Sequence, residues 1–123
     1  MATFVDLVAS RKRWIAEDLI PWCKQAGLVD LRKAEDEWLD IAGKVAPEFS
    51  LWLWAWSRFP VLYEEGLRGL NETHAVVVHL RSGESVTGFP DARRSKRGEL
   101  VLAGTGADYG PYRIDDVVEV VRT

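Results

Sequence analysis

A chain of 123 residues, 47% hydrophobic and 28% charged, is the size of one ordinary domain and has a globular rather than a disordered balance. A formal net charge of −3 lacks the basic field of a dedicated nucleic-acid binder, and the single cysteine, Cys23, excludes an intramolecular disulfide and fits a reducing compartment. The longest wholly apolar run, Leu51 to Trp56, is far short of a membrane span, and Asp6 breaks the only early apolar run before any leader pattern forms; a cytoplasmic chain with no membrane partner is expected.

The pattern changes near residue 71, which divides the chain into a helical part, 1–70, and a small β-barrel part, 71–123, sharing one core. The first helix is expected from about Phe4, with Thr3 as N-cap and Asp6 three residues on. Phe4, Leu7, Val8, Trp14, Ile15, Leu19 and Trp22 trace one apolar face at helical spacing. Pro21 lacks an N–H and meets the carbonyl of Glu17, so the helix kinks or restarts there, and Gly27 is a natural left-handed stop. A second helix is expected after Asp30 as N-cap, with Leu31, Ala34, Trp38, Ile41, Ala42 and Val45 on one stripe and Pro47 at its end.

Next comes SLWLWAWSRFP, residues 50–60, with Trp52, Trp54 and Trp56 at every second position. A strand puts the three rings on one face and Leu51, Leu53 and Ala55 on the other, which suits a central strand. A helix capped by Ser50 organises more of the sequence: Trp52, Trp56, Phe59 and Tyr63 form a stripe, and Ser57, Arg58, Glu64 and Glu65 gather opposite. The helix is favoured. Trp52 and Trp56 are then core, and Trp54 is the candidate interface residue unless its ring covers the junction between helices and barrel.

The C-terminal part reads as short antiparallel strands: AVVVHLR (75–81) and ESVTGFP (84–90) around a Ser82-Gly83 turn, ELVLAG (99–104), the glycine-rich turn GTGADYGP (104–111), then YRID (112–115) and VVEVVR (117–122) hinged at Asp116. The string VVVHLRSGESVTGF, with ELVLAG and YRIDDVVEVV, resembles the Sm-like or SH3-like small barrels. The features that carry it are an apolar strand, a Ser-Gly turn, a glycine inside the second strand (Gly88) and an apolar last strand. The resemblance implies a strongly bent five-stranded barrel. Sm-like RNA binders hold a base with an acidic residue and an asparagine after the second strand; Asp91 matches the first, no asparagine follows, and the later Arg-Gly pair is missing.

Arg93, Arg94, Lys96 and Arg97 put four cations in five residues, a candidate polyanion site or a solvated loop tip flanked by Asp91 and Glu99. His74 and His79 sit at odd spacing on a strand and face opposite ways, and no second cysteine accompanies Cys23, so no metal site is expected. Glu17-Asp18, Glu64-Glu65 and Asp115-Asp116 are adjacent pairs that diverge, and Asp115-Asp116 reads as a turn device. GTGADYG lacks the following helix of a phosphate loop, and no serine sits in a nucleophile elbow.

The expected fold is α+β, with two or three helices packed on the barrel. The expected function is a non-enzymatic binding module for a protein partner or for self-association, without cofactor. Binding of RNA or another polyanion through the 93–97 loop is the alternative, and an enzyme with a scattered site comes third.

Overall fold

The computed structural model describes residues 4–38 and 46–123. The expected cap Thr3 and the stripe positions Ile41, Ala42 and Val45 lie outside the described residues, as do the side chains of Phe4, Leu7 and Val8. The architecture is α+β: helices in the N-terminal half and a five-stranded antiparallel sheet in the C-terminal half.

Helix α1 (Phe4–Trp14) runs through a widened π-type turn, Ile15–Leu19, into α2 (Ile20–Gln25) without a break. The Ile20 N–H bonds back to the Ile15 carbonyl, five residues away. The wide turn sits just ahead of Pro21, where a regular helix would lose a donor and press the ring on Glu17; a π-type turn absorbs that mismatch. The expected kink or restart is therefore a widening. Gly27 has φ −77° and is extended, so it is not a left-handed stop. Helix α3 (Leu28–Asp36) starts ahead of Asp30, the expected cap, because its first N–H is satisfied from elsewhere: Leu28 N–H donates to Asp115 Oδ1 at 2.9 Å.

The tryptophan stretch forms a short helix, α4 (Leu51–Trp56), in which Leu51, Trp52, Leu53, Ala55 and Trp56 are all buried. Two turns cannot hold themselves together in water, and an all-round apolar helix exists only inside a core. The amphipathic helix expected to run on toward Tyr63, with a kink or a new start at Pro60, ends at Trp56, and Pro60–Leu62 forms a separate 3₁₀ turn. The polar residues after it also turn inward. Ser57 is buried, and the Arg58 guanidinium donates to the carbonyls of Cys23 (2.8 Å), Ala26 (2.7 Å) and Ala55 (2.9 Å). Two of those carbonyls lie at the C-terminal end of α2, where helical acceptors go unpaired. Burial lowers the Arg58 pKa, opposed by Asp115 and Cys23. Ser50 is not a side-chain cap. Its hydroxyl accepts from the buried Trp38 indole N–H (2.8 Å) and donates to the Ala46 carbonyl (2.7 Å).

The sheet has strand order β4-β3-β2-β1-β5, with β1 Val76–Leu80, β2 Ser85–Pro90, β3 Glu99–Ala103, β4 Asp108–Arg113 and β5 Val117–Arg122. Strand β2 serves both halves of the sheet: Ser85 to Gly88 pair with β1, and Phe89 and Pro90 pair with β3. A Cβ on Gly88 would lie 2.9 Å from the Ala103 carbonyl oxygen, so only glycine allows this close approach. Strands β4 and β5 stand at the two ends of the order, and no ladder joins them among the described residues; the five antiparallel strands of the expected barrel are present and its closure is not seen.

The first hairpin is wider than the expected Ser82-Gly83 turn; Leu80 N–H bonds Glu84 O at 2.8 Å around three residues. The expected glycine-rich turn 104–111 already contains the start of β4, and Asp115 lies in a 3₁₀ turn, Ile114–Asp116, rather than in a strand. Strand β5 pairs His79 with Glu119 and Leu80 with Val117, passing over Val118. This bulge breaks the period of two, so Val117 and Val120 both face the core while Val118 is exposed.

One core joins the two halves: Leu31, Trp38, Trp52 and Trp56 belong to the same buried cluster as Val76, Val78, Leu100, Leu102 and Ile114. Asp115 anchors α3 to the turn before β5. Replacing it with alanine should cost about 1 kcal/mol of unfolding free energy, the usual size of a lost N-cap, and asparagine should cost less. Alanine at Asp116 should stay within about 0.5 kcal/mol. Urea unfolding with an unchanged slope is the check.

Candidate functional site

The β2–β3 loop that carries the basic run is tightly built. Asp91 starts it as a capped turn, its Oδ1 accepting Arg94 N–H at 3.0 Å and its carbonyl accepting Ser95 N–H at 3.0 Å. Ser95 Oγ accepts the Val101 N–H at 2.8 Å. The loop closes on a turn from Lys96 to Glu99, with both central residues, Arg97 (φ +50°) and Gly98 (φ +83°), in the left-handed region. A Cβ on Gly98 would lie 2.4 Å from Leu28 Cδ1 and 2.9 Å from Trp52 Cζ3. Glycine is required here because the loop lands on the helical half.

That landing commits most of the cations. Arg94 pairs with Asp91 and with Asp108, both at 2.7 Å. Lys96 pairs with Glu48, and Arg97 with Glu35 Oε1 at 2.6 Å. The second Glu35 oxygen accepts the indole N–H of buried Trp52. Arg32 donates to Glu99 at 3.2 Å and to the Arg97 carbonyl at 3.3 Å. Of the four residues expected to bind polyanion, only Arg93 has no carboxylate partner among the described residues. Asp91, the residue at the Sm-like acidic position, is occupied by Arg94.

Between this loop, α4 and the residues before β1 lies a groove of about 400 Å³. Trp52, Leu53, Trp56 and Leu70 give it apolar surface; Glu35 and Glu48 line it already paired; Arg68 and Arg93 line it without a carboxylate partner among the described residues. The Arg68 guanidinium stands 4.2 Å from the centre of the Phe49 ring, a cation–π contact that fixes its place. Sequence reasoning missed this groove, because nothing local joins Glu35, Arg68 and Arg93.

A second groove, of about 720 Å³, opens on the helical half between Trp14, Asp18 and Trp22 on one side and Lys33, Glu37 and Trp38 on the other. Trp14 and Trp22, expected in a buried stripe, are 39% and 40% exposed. The widened turn between them shifts the helical phase, which a constant period does not anticipate. Trp54, the expected interface residue, is half-buried with its ring edge-on to Trp38, 6.0 Å between centroids.

Cys23 is fully buried, and burial pushes its thiol up to about 12, so it stays protonated at neutral pH. His79 Nδ1 shares a hydrogen bond with Ser85 Oγ at 2.8 Å. Among the described residues, no three His, Cys, Asp or Glu side chains are placed to hold a metal, and no helix is long and apolar enough to cross a membrane. Compared with known proteins, the chain matches no protein-family model, no curated protein and no solved structure.

Hydrogen bonds from Arg94 hold the Asp91 and Asp108 carboxyls below the usual carboxylate range and raise the Arg94 pKa. A depressed carboxylate stabilises the fold above its unfolded pKa, about 3.9, and loses that contribution as pH falls through the folded value. NMR titration should therefore give both aspartates midpoints below 3.9, and Arg94→Gln should move both upward.

Proposed function

We propose that this chain is a non-enzymatic interaction module that self-associates through the exposed face of the α1–α2 helix. The observation that carries the reading is the segment RKRWIAED, residues 11–18: basic before Trp14, acidic after it, and exposed at Arg11–Trp14 and Ala16–Asp18. Two copies laid antiparallel about Ile15, next to Trp14, set Lys12 and Arg13 of each against Asp18 and Glu17 of the other. A parallel pairing sets like against like. Charge that flips sign about an exposed aromatic is thus self-complementary across a two-fold axis, the commonest symmetry of soluble oligomers.

The aromatic groove gives such a contact its apolar part. Tryptophan is enriched at interface centres, and surface ion pairs alone contribute little. Two features support binding over catalysis: both carboxylates of the smaller groove are engaged by cations, and Cys23 is buried. Among the described residues, the polyanion reading keeps only Arg93 of its run without a carboxylate partner.

Sedimentation equilibrium should show a species of twice the 13.9 kDa chain mass at protein concentrations on the order of 100 µM. The double variant Trp14→Ala, Trp22→Ala should be monomeric. Lys12→Glu with Arg13→Glu should weaken the dimer, and adding Glu17→Lys with Asp18→Lys should restore it. A monomer throughout that range, or a charge swap that fails to restore association, would overturn the reading.

A further inference from the structure

We infer that the junction groove is a binding site for a small organic monoanion, a carboxylate carried on an aromatic or short aliphatic body. The groove, of about 400 Å³, lies within the size range of small-molecule pockets, roughly 300–1,000 Å³. Its surfaces divide into the two parts such a ligand needs. Half-buried Phe49 and Ala92, with the small exposed edges of Trp52, Leu53, Trp56 and Leu70, supply apolar surface for the body.

For the charged end, four cations line the groove against two carboxylates among the described residues, and the pairing is specific. Glu48 is taken by Lys96 and Glu35 by Arg97. Arg68 and Arg93 are left over, on opposite sides of the sequence break between helices and sheet. Neither has a carboxylate partner among the described residues, and both are exposed. A guanidinium matches a carboxylate through paired N–H donors. Arg68 is pre-placed by its contact with Phe49, 4.2 Å away, which lowers the ordering cost of binding.

The charge balance also sets what the groove rejects. A cation meets an excess of positive charge, and a neutral analogue leaves both guanidinium groups without an anionic partner. A multivalent polyanion gains little, because the neighbouring cations are already held. The modest volume favours a free small molecule over a chain end. This site is separate from the helical face that carries self-association, so either assignment can fail without the other.

The test follows the Trp52 and Trp56 indole N–H signals by NMR during titration of the intact chain with four probes. These are phenylacetate, octanoate, neutral phenylacetamide and a peptide ending in phenylalanine with a free carboxylate. Phenylacetate and octanoate should give saturable shifts, with phenylacetamide at least about tenfold weaker, the usual scale for losing a charge-assisted hydrogen bond. Arg68→Gln with Arg93→Gln should weaken the carboxylates by a similar factor, and Lys24→Gln, at an exposed cation outside the groove, should leave them unchanged. Absence of saturable shifts, or equal binding of acid and amide, would overturn the site. A peptide that binds more tightly than phenylacetate would overturn the small-molecule assignment.

Discussion

The Glu35 carboxylate holds three parts of the molecule at one point. One oxygen accepts from Arg97 in the β2–β3 loop, the other from the indole of Trp52 in α4, and Glu35 itself belongs to α3. Trp52 is buried, so its N–H has to find an acceptor inside the protein; an unpaired buried donor costs about 1–3 kcal/mol. Meeting that requirement with a charged group brings the loop down as well, because the carboxylate then needs a cation. The left-handed backbone at Arg97 and the glycine at 98 follow from the same approach. Sheet, loop and helices therefore meet where a buried indole N–H and a surface cation share one carboxylate.

Several charged residues that stand out in the sequence take part in assembling the fold. The basic run 93–97 has the composition of an anion patch, yet Arg94, Lys96 and Arg97 fasten the loop to Asp91, Asp108, Glu48 and Glu35. Asp115 caps α3 from a turn 87 residues away, and Arg58 closes the carbonyls at the end of α2. Arg68 and Arg93, and the charges from Lys12 to Asp18, are among the described residues that take no part in these pairings. The binding roles proposed for both surfaces rest on that separation.

What the sequence made legible was set by the range of the physics involved. Alternation and turn residues placed β1, β2, β3 and β5 to within a residue or two, because strand periodicity is local. The helical character of the tryptophan stretch was also legible, but its length was not: five of its six residues are buried, and burial is decided by what surrounds them. The exposure of Trp14 and Trp22 turned on the wide turn ahead of Pro21, and that of Val118 on a bulge opposite Leu80. Each breaks a regular period at one residue. The groove was not legible at all, since its residues come together only through long-range pairing.

The most direct measurement is hydrogen exchange at the Trp52 indole and at the hydrogen-bonded Ser95 and Glu99 loop amides, in the parent chain and in Glu35→Ala. If Glu35 joins α4 to the loop, the parent indole exchanges slowly. The substitution then accelerates the indole and both amides together by at least about tenfold, while the β1 amides stay protected. A Trp52 indole that already exchanges freely in the parent chain, or loop amides unmoved by loss of Glu35, would contradict that role.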